Sequence, residues 1–279
     1  MWGNVRAELA KQVRRPAAWM LLVIGVLLSL TFAYLIPYAG YADGTSGSSG
    51  SSGPPGSDAG LAAMLPDTFV GNAIGGMPVF VGALALIFGV LVTGSEYAWE
   101  TWKTVFAQGP SRWGAYAAKV VTVAAGVAVL VVALFTVSAG ASALVATVEE
   151  QPLDWPSVTD IALGLGAGWL ITMMWAAFGV LLAVLLRSVA LPIGLGLVWL
   201  LAVQNLLAGI AAPLLDWIAE LQKGLPGPNA GSLVASLGAS DTPGVAELVG
   251  SGQATLVVTV YLLAFTMVGG LLLHRRDIL

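Results

Sequence analysis

The chain has 279 residues, 58% of them apolar and only 9% charged, with a net charge of −4 and no cysteine. That balance excludes a soluble globular domain, whose surface needs far more charge, and makes the chain a polytopic membrane protein. The lack of cysteine excludes disulfide staples and thiolate chemistry, and the small net charge names no partner because the charges are segregated along the chain.

Residues 1–15 have an amphipathic pattern. Trp2, Val5, Leu9 and Val13 share one helical face, with Asn4, Glu8, Lys11, Arg14 and Arg15 opposite, as in a helix lying on the inner membrane surface. Each basic residue near an anionic leaflet contributes about 1 kcal/mol there. Pro16 then turns the chain into a first span over residues 17–36. A basic start and an apolar core also fit a secretory signal peptide, but this core is long enough to span and no small-x-small cleavage site follows. Residues 43–60 are Gly/Ser-rich and of low complexity, which predicts a flexible loop.

A second span covers residues 75–93, entered through Gly75 and Gly76. Next comes the longest interior segment with charges of both signs between two apolar runs, residues 94–119. Its spacing predicts a short helix over 95–108, with Trp99, Trp102 and Phe106 on one side and Glu96, Glu100 and Lys103 on the other. Gly109 and Pro110 end it. Such a helix either docks a cytosolic partner or only anchors the loop at the interface.

The third span is residues 118–145. The fourth, residues 157–186, opens on Ser157-Val158-Thr159-Asp160, a capping box. After a break at Arg187 and Ser188 comes a fifth over 189–212, and a sixth over 253–273 ends in His274, Arg275, Arg276 and Asp277. Between these two, residues 213–240 are too long and too apolar for a simple loop. Leu214, Leu215, Ile218 and Leu221 line one face of a short helix, with Asp216, Glu220 and Gln222 opposite. After Pro226 and Pro228, residues 233–237 are apolar but far too short to cross. This predicts an outer lid of two short helices, either re-entrant or resting on the outer leaflet. The expected fold is all-α: six transmembrane helices, an N-terminal interfacial helix, the helix over 95–108, and the outer pair.

Orientation follows from the basic residues. In this topology every Lys and Arg except Lys223 falls on one side, which is therefore cytoplasmic and holds both termini. Acids such as Asp67, Glu149, Glu150, Asp154, Asp160, Asp216, Glu220 and Glu247 face the other way.

Little here suggests chemistry. No lysine follows a glycine, so the chain has no phosphate-binding loop. One histidine and no cysteine leave no zinc constellation, and no pair of carboxylates has a catalytic spacing. The chain is not expected to be an enzyme by itself, or to hold a cofactor or metal. No charged residue lies near the middle of a span, where one costs about 2.5 to 3.5 kcal/mol and is kept mainly for function. That argues against proton or sodium coupling, so the energy comes from elsewhere. Weakly polar positions in the spans, Thr172, Gln204, Asn205, Thr255 and Thr259 with Met173 and Met174 among them, either line a path for an amphipathic substrate or hold helices together. Gly164 and Gly168 stand at the spacing of close helix packing, with Gly166 between them.

The chain resembles a membrane permease subunit of the type-2 ATP-binding-cassette exporters over nearly its full length. Glu96, Glu100, Thr101, Lys103, Pro110, Arg112 and Lys119 resemble that family's loop pattern of acid, Thr, base, Pro-x-Arg and Lys. Leu185-Leu186-Arg187-Ser188 resembles its tight fourth-to-fifth turn, and Arg275-Arg276-Asp277 its C-terminal end. The Gly/Ser-rich first outer loop departs from the pattern, with no defined substrate-capture domain there. The resemblance implies that the helix over 95–108 is a coupling helix seated in a cleft of a separate ATPase. Glu96, Trp99, Glu100, Thr101, Lys103 and Arg112 would do the coupling. Glu96 and Glu100 would face basic groups on the ATPase, while Trp99, Trp102 and Phe106 seat against the permease or membrane. It also implies two permease subunits, the second a copy of this one, and two ATPases that hold ATP and Mg. The setting is the plasma membrane, with lipid around the spans and no nucleic acid. A membrane scaffold without transport and a lipid-modifying membrane enzyme remain as alternatives.

Overall fold

The computed structural model describes residues 2–43, 58–102, 106, 111–207, 214–239 and 242–275, and all regular structure among them is helical. The Gly/Ser-rich stretch expected to form a loop lies mostly outside these residues. The helices among the described residues whose bounds are defined are, in chain order, α1 (Trp2–Val13), α2 (Pro16–Ala42), α3 (Asp58–Ala62), α4 (Pro66–Ala98), α5 (Arg112–Val148), α6 (Val158–Leu186), α7 (Ala190–Leu206), α8 (Asp216–Gln222), α9 (Pro226–Ala235) and α10 (Ser251–Arg275). Among the described residues, α2, α4, α5, α6 and α10 are long and apolar enough to cross a membrane, and α7 is a shorter apolar helix.

Local chemistry accounts for the ends. Pro16 and Pro226 each occupy a first helical position, where the missing N–H costs nothing. Ser157 caps α6 as the capping box predicts: its Oγ accepts from the Asp160 N–H (3.2 Å) and donates to the Asp160 carboxylate (2.7 Å). Ser111 caps α5 by accepting from the Gly114 N–H at 3.1 Å. Pro37 and Pro78 each remove a backbone donor inside a long helix. The helix widens into a π turn beside both, at Thr31–Leu35 and Met77–Val81. Ser157→Ala leaves α6 uncapped and is expected to cost about 1 kcal/mol, read as an earlier midpoint when the purified protein is unfolded in mixed micelles.

The centre of the molecule is the crossing of α4 and α6. A Cβ added at Gly89 of α4 would run into the Ala176 carbonyl oxygen of α6, and one at Gly179 of α6 would run into the Leu86 carbonyl oxygen of α4. The two backbones therefore touch at a pair of glycines, with Leu86, Val90, Trp175 and Val180 buried around them. Gly164 and Gly168 do pack closely, against Val70 and Phe135 and against Met77, whereas nothing approaches Gly166. Around this pair, α5 packs on α6, and α10 lies along α6 on another side.

Two ends can be told apart by contacts. At one, Arg112 Nη1 of α5 donates to the His274 carbonyl of α10 (2.9 Å), the Ser188 carbonyl faces Gly94, and α1 packs on α5. At the other, Tyr38 and Tyr41 of α2 donate to the Glu149 carboxylate, at 2.7 and 3.3 Å. These are called the Lys119 end and the Glu149 end.

Several sequence expectations need correction. The break predicted after residue 93 is absent. Helix α4 runs on to Ala98, so Gly94 to Ala98 are its last turn and not the first turn of a separate helix; the chain turns at Trp99 and Glu100. In the remainder of the helix predicted over 95–108, Thr101, Trp102 and Phe106 are helical, while residues 103–105, Lys103 included, and 107–108 lie outside the described residues. The tail of the fifth predicted span, 208–212, also lies outside them, as do Arg276 and Asp277.

Two short helices do lie within the predicted segment 213–240, and their buried residues are of mixed polarity. In α8 the buried residues are Ile218 and Gln222, while Leu214, Leu215 and Leu221 are exposed. Helix α9 is part of the core: Asn229, Ser232, Leu233 and Val234 are buried, and the helix packs on α4 and α10. Most of its polar groups are satisfied internally, although the Asn229 Oδ1 is buried with no partner among the described residues. Asn229 Nδ2 donates to the Lys223 and Leu225 carbonyls, and Ser232 Oγ donates to the Ala246 carbonyl while accepting from the Leu248 N–H.

Candidate functional site

The Lys119 end holds a buried cluster of charge. Lys119, at the start of α5 and 2% exposed, sends its ammonium to Glu96 Oε1 (2.6 Å) and Glu8 Oε2 (2.7 Å). Glu96, 1% exposed, also accepts from Lys11 through Oε1 and from the Thr101 hydroxyl through Oε2. Two acids and two bases therefore neutralise one another across α1, the last turn of α4 and the first turns of α5. Position explains the burial. Lys119 lies two turns into α5, and Glu96 faces it from the end of an antiparallel neighbour. Glu8 and Lys11 are three apart on α1, on adjoining parts of one face.

Aromatic rings close this cluster. The Lys119 Nζ sits 5.7 Å from the Trp102 ring centroid, and Trp102 stacks on Phe106 at 5.2 Å with planes 9° apart. Arg112 lies over the Phe106 ring, its guanidinium carbon 5.9 Å from the centroid. Arg15 adds a strut from the other side, donating to the Leu91 carbonyl (3.3 Å) and to Ser95 Oγ (3.0 Å).

The predicted coupling residues divide into two groups. Glu96 and Thr101 are joined to each other inside the cluster, so the expectation that Glu96 faces basic groups on a partner is corrected: its carboxylate is sealed and already shared between two lysines. Trp102, expected on the seating side, is buried, and Arg112 reaches the end of α10. Trp99 is 77% exposed and Glu100 is exposed, at the turn where the chain leaves α4. Trp99 therefore projects from the molecule and does not seat beside Trp102. Glu100 has φ 51, a left-handed conformation that ends the helical path of α4. Lys103 lies outside the described residues.

Sequence reasoning placed Glu8 and Lys11 on a face of α1 turned to water. Instead, Val5 and Gln12 are buried, Glu8 is turned inward with them, and Trp2 and Val13 are exposed. The signal was present as matched opposite charges, Glu8 and Lys11 against Lys119 and Glu96, but their long separation in sequence hid the match.

The residues predicted to line a substrate path are not brought together. Thr172 and Met173 are sealed in the core, and the Thr172 hydroxyl is spent on the Gly168 carbonyl of its own helix at 2.6 Å. Gln204 is buried against Gly227, while Asn205 is exposed and donates to the Leu201 carbonyl. Thr255 and Thr259 lie on α10 and bond back to Ser251 and Thr255 carbonyls. Each hydroxyl is satisfied locally, which suits it to a helix in lipid as well as to a path. Among the described residues, no group of three or more His, Asp or Glu side chains comes together to hold a metal.

Comparison of the chain with protein-family models and with curated proteins gives no match.

Proposed function

We propose that this chain is the transmembrane permease subunit of an ATP-binding-cassette exporter of the type-2 kind, with six crossings and both termini cytoplasmic. A second permease subunit, a copy of this one, completes the path, and separate ATPase subunits hold the ATP and Mg that drive substrate out across the plasma membrane.

The observation that carries the reading is the buried cluster of Glu8, Lys11, Glu96 and Lys119. A coupling device needs a part that a partner can reach and a rigid link from it to the spans. Trp99 and Glu100 project into solvent one turn from Glu96, and the cluster ties that turn to α1 and α5, so displacement of the turn moves three helices together. The sixth crossing is supported by the two ends of α7. Ser188, just before it, faces Gly94 at the Lys119 end, whereas Gln204, near its close, abuts Gly227. Orientation is supported by charge: Arg6, Lys11, Arg14, Arg15, Arg112, Lys119 and Arg187 belong to the Lys119 end, and Glu149, Glu150, Asp154 and Asp160 to the other. Exposed apolar faces on α2, α7 and α10 suit lipid and a second permease subunit. Asn205 and Thr255 are the predicted path residues on such exposed surfaces.

The test is affinity capture of the tagged full chain from detergent extracts, with mass spectrometry of what co-purifies. The intact chain is expected to bring down an ATP-binding-cassette ATPase. Trp99→Ala with Glu100→Lys, which disturbs no buried contact, is expected to lower that recovery by about tenfold, the equivalent of about 1.4 kcal/mol. If the intact chain recovers no such ATPase under conditions that preserve its fold, the exporter reading fails and a scaffold or a lipid-modifying enzyme takes its place.

A further inference from the structure

A cavity of about 200 Å³ opens where α1, α2, α4 and α5 meet. Its floor includes Leu84, Ala85 and Val127, which are buried, and its rim Val13, Trp19 and Val129, which are exposed. An apolar cavity of roughly 150 Å³ is enough to take up benzene, so this one has room for a stretch of hydrocarbon. Three lining residues carry polar side-chain atoms, and two of these are already committed. Thr122 Oγ1 donates to the Ala118 carbonyl and Trp19 Nε1 to the Val13 carbonyl, both at 2.8 Å. The third is Gln12. It is 7% exposed, and its Nε2 has no hydrogen-bond partner among the described residues.

A buried amide left unpaired is costly, and its presence in an otherwise apolar cavity points to a ligand that brings its own acceptor. The ligand must be hydrocarbon in the body, must carry an oxygen acceptor at one end, and must be within reach of a surface helix at its junction with a span. We infer that this cavity is a phospholipid site: one acyl chain lies between α2 and α5, and Gln12 Nε2 donates to the ester carbonyl at the head of that chain. Gln12 follows Glu8 by one turn on the inner face of α1, so the lipid braces the same joint that the ion cluster holds. The inference rests on the membrane reading of the chain but not on the ATPase, and the two fail separately: one by capture, the other by lipid labelling.

The experiment places the purified full chain in phosphatidylcholine nanodiscs doped with an analogue that carries a photoreactive diazirine on one acyl chain. Ester-linked and ether-linked forms are compared by peptide mapping. With the ester analogue, adducts are expected to concentrate on Trp19, Leu22 and Phe88, well above the exposed α10 face at Leu256, Val260 and Leu263. Ala125→Phe, which fills the cavity, is expected to bring them down to that α10 level, and Ala18→Phe does the same where the first variant melts early. Gln12→Leu is expected to weaken ester labelling roughly fivefold, the worth of one hydrogen bond, and to leave ether labelling unchanged. Labelling spread evenly over α2, α7 and α10, labelling that survives both filling variants, or equal labelling of the intact chain by both analogues would each overturn the inference.

Discussion

Lys119→Met is expected to destabilise the folded protein by about 3 to 5 kcal/mol, the cost of removing one partner from a buried ion pair. The ammonium is shared by two carboxylates, and the one that suffers more is Glu96, which stays almost fully enclosed. Lys11 still contacts Glu96, but it is one-third exposed and screened by water, so it offsets only part of the lost charge. The damage should be local first: α1 loses its main polar tie to α5, so trypsin should cut at Arg6, Lys11 and Arg14 in micelles where the intact protein resists. Lys119→Met combined with Glu96→Met supplies the decisive comparison. It leaves no enclosed charge, and Glu8 and Lys11 remain free to pair with each other along α1 at three-residue spacing. The double variant is therefore expected to be more stable than Lys119→Met alone, with a coupling of at least about 1 kcal/mol. Strictly additive costs, measured by unfolding in mixed micelles, would mean that the four groups do not act as one cluster.

The same cluster marks where sequence stopped being informative. Apolar runs long enough to cross stand out in any window, and helices appear over five of the six predicted spans with ends displaced by up to nine residues, along with a shorter one over the fifth. The Ser157 cap was legible because all of its parts lie within four residues. Glu96 was not. A carboxylate at the end of an apolar run, followed by Glu100 and Lys103, has the pattern of a water-facing helix, and nothing local distinguishes a solvated acid from one held by lysines 23 and 85 positions away.

Helices α8 and α9 were legible as elements, less so in what they bury. Their buried positions mix Gln222, Asn229 and Ser232 with Ile218, Leu233 and Val234, so hydropathy alone does not mark the buried face, and the Ser232 bond to Ala246 has no local signal. The residues suggested for a substrate path shared only their mild polarity, a property that back-bonding to the residue four positions earlier explains at Thr172, Asn205, Thr255 and Thr259. Long-range pairing was hidden at Glu96, whereas at Thr172, Asn205, Thr255 and Thr259 the partners are local and join no shared site.

A contrast between glycines tests the centre of the fold with opposite signs. Gly179→Ala places a methyl group against the Leu86 carbonyl oxygen, and Gly89→Ala places one against the Ala176 carbonyl oxygen. In both cases the obstacle is backbone, which no rotamer change can clear, so α4 and α6 must separate and release the packing of Leu86, Val90 and Trp175. Each substitution is expected to cost about 3 kcal/mol, the upper end of the usual overpacking range, because helices in lipid associate through such close backbone approach. Gly166→Ala, on the same helix as Gly179 and with nothing near its added methyl, should instead gain about 0.5 to 1 kcal/mol from the better helix propensity of alanine. Unfolding midpoints for the three variants, taken in one detergent, give the ordering Gly166→Ala above the parent chain and the other two well below it. If Gly179→Ala and Gly166→Ala move together, propensity governs both sites and the glycine contact between α4 and α6 is not what holds these two helices at their distance.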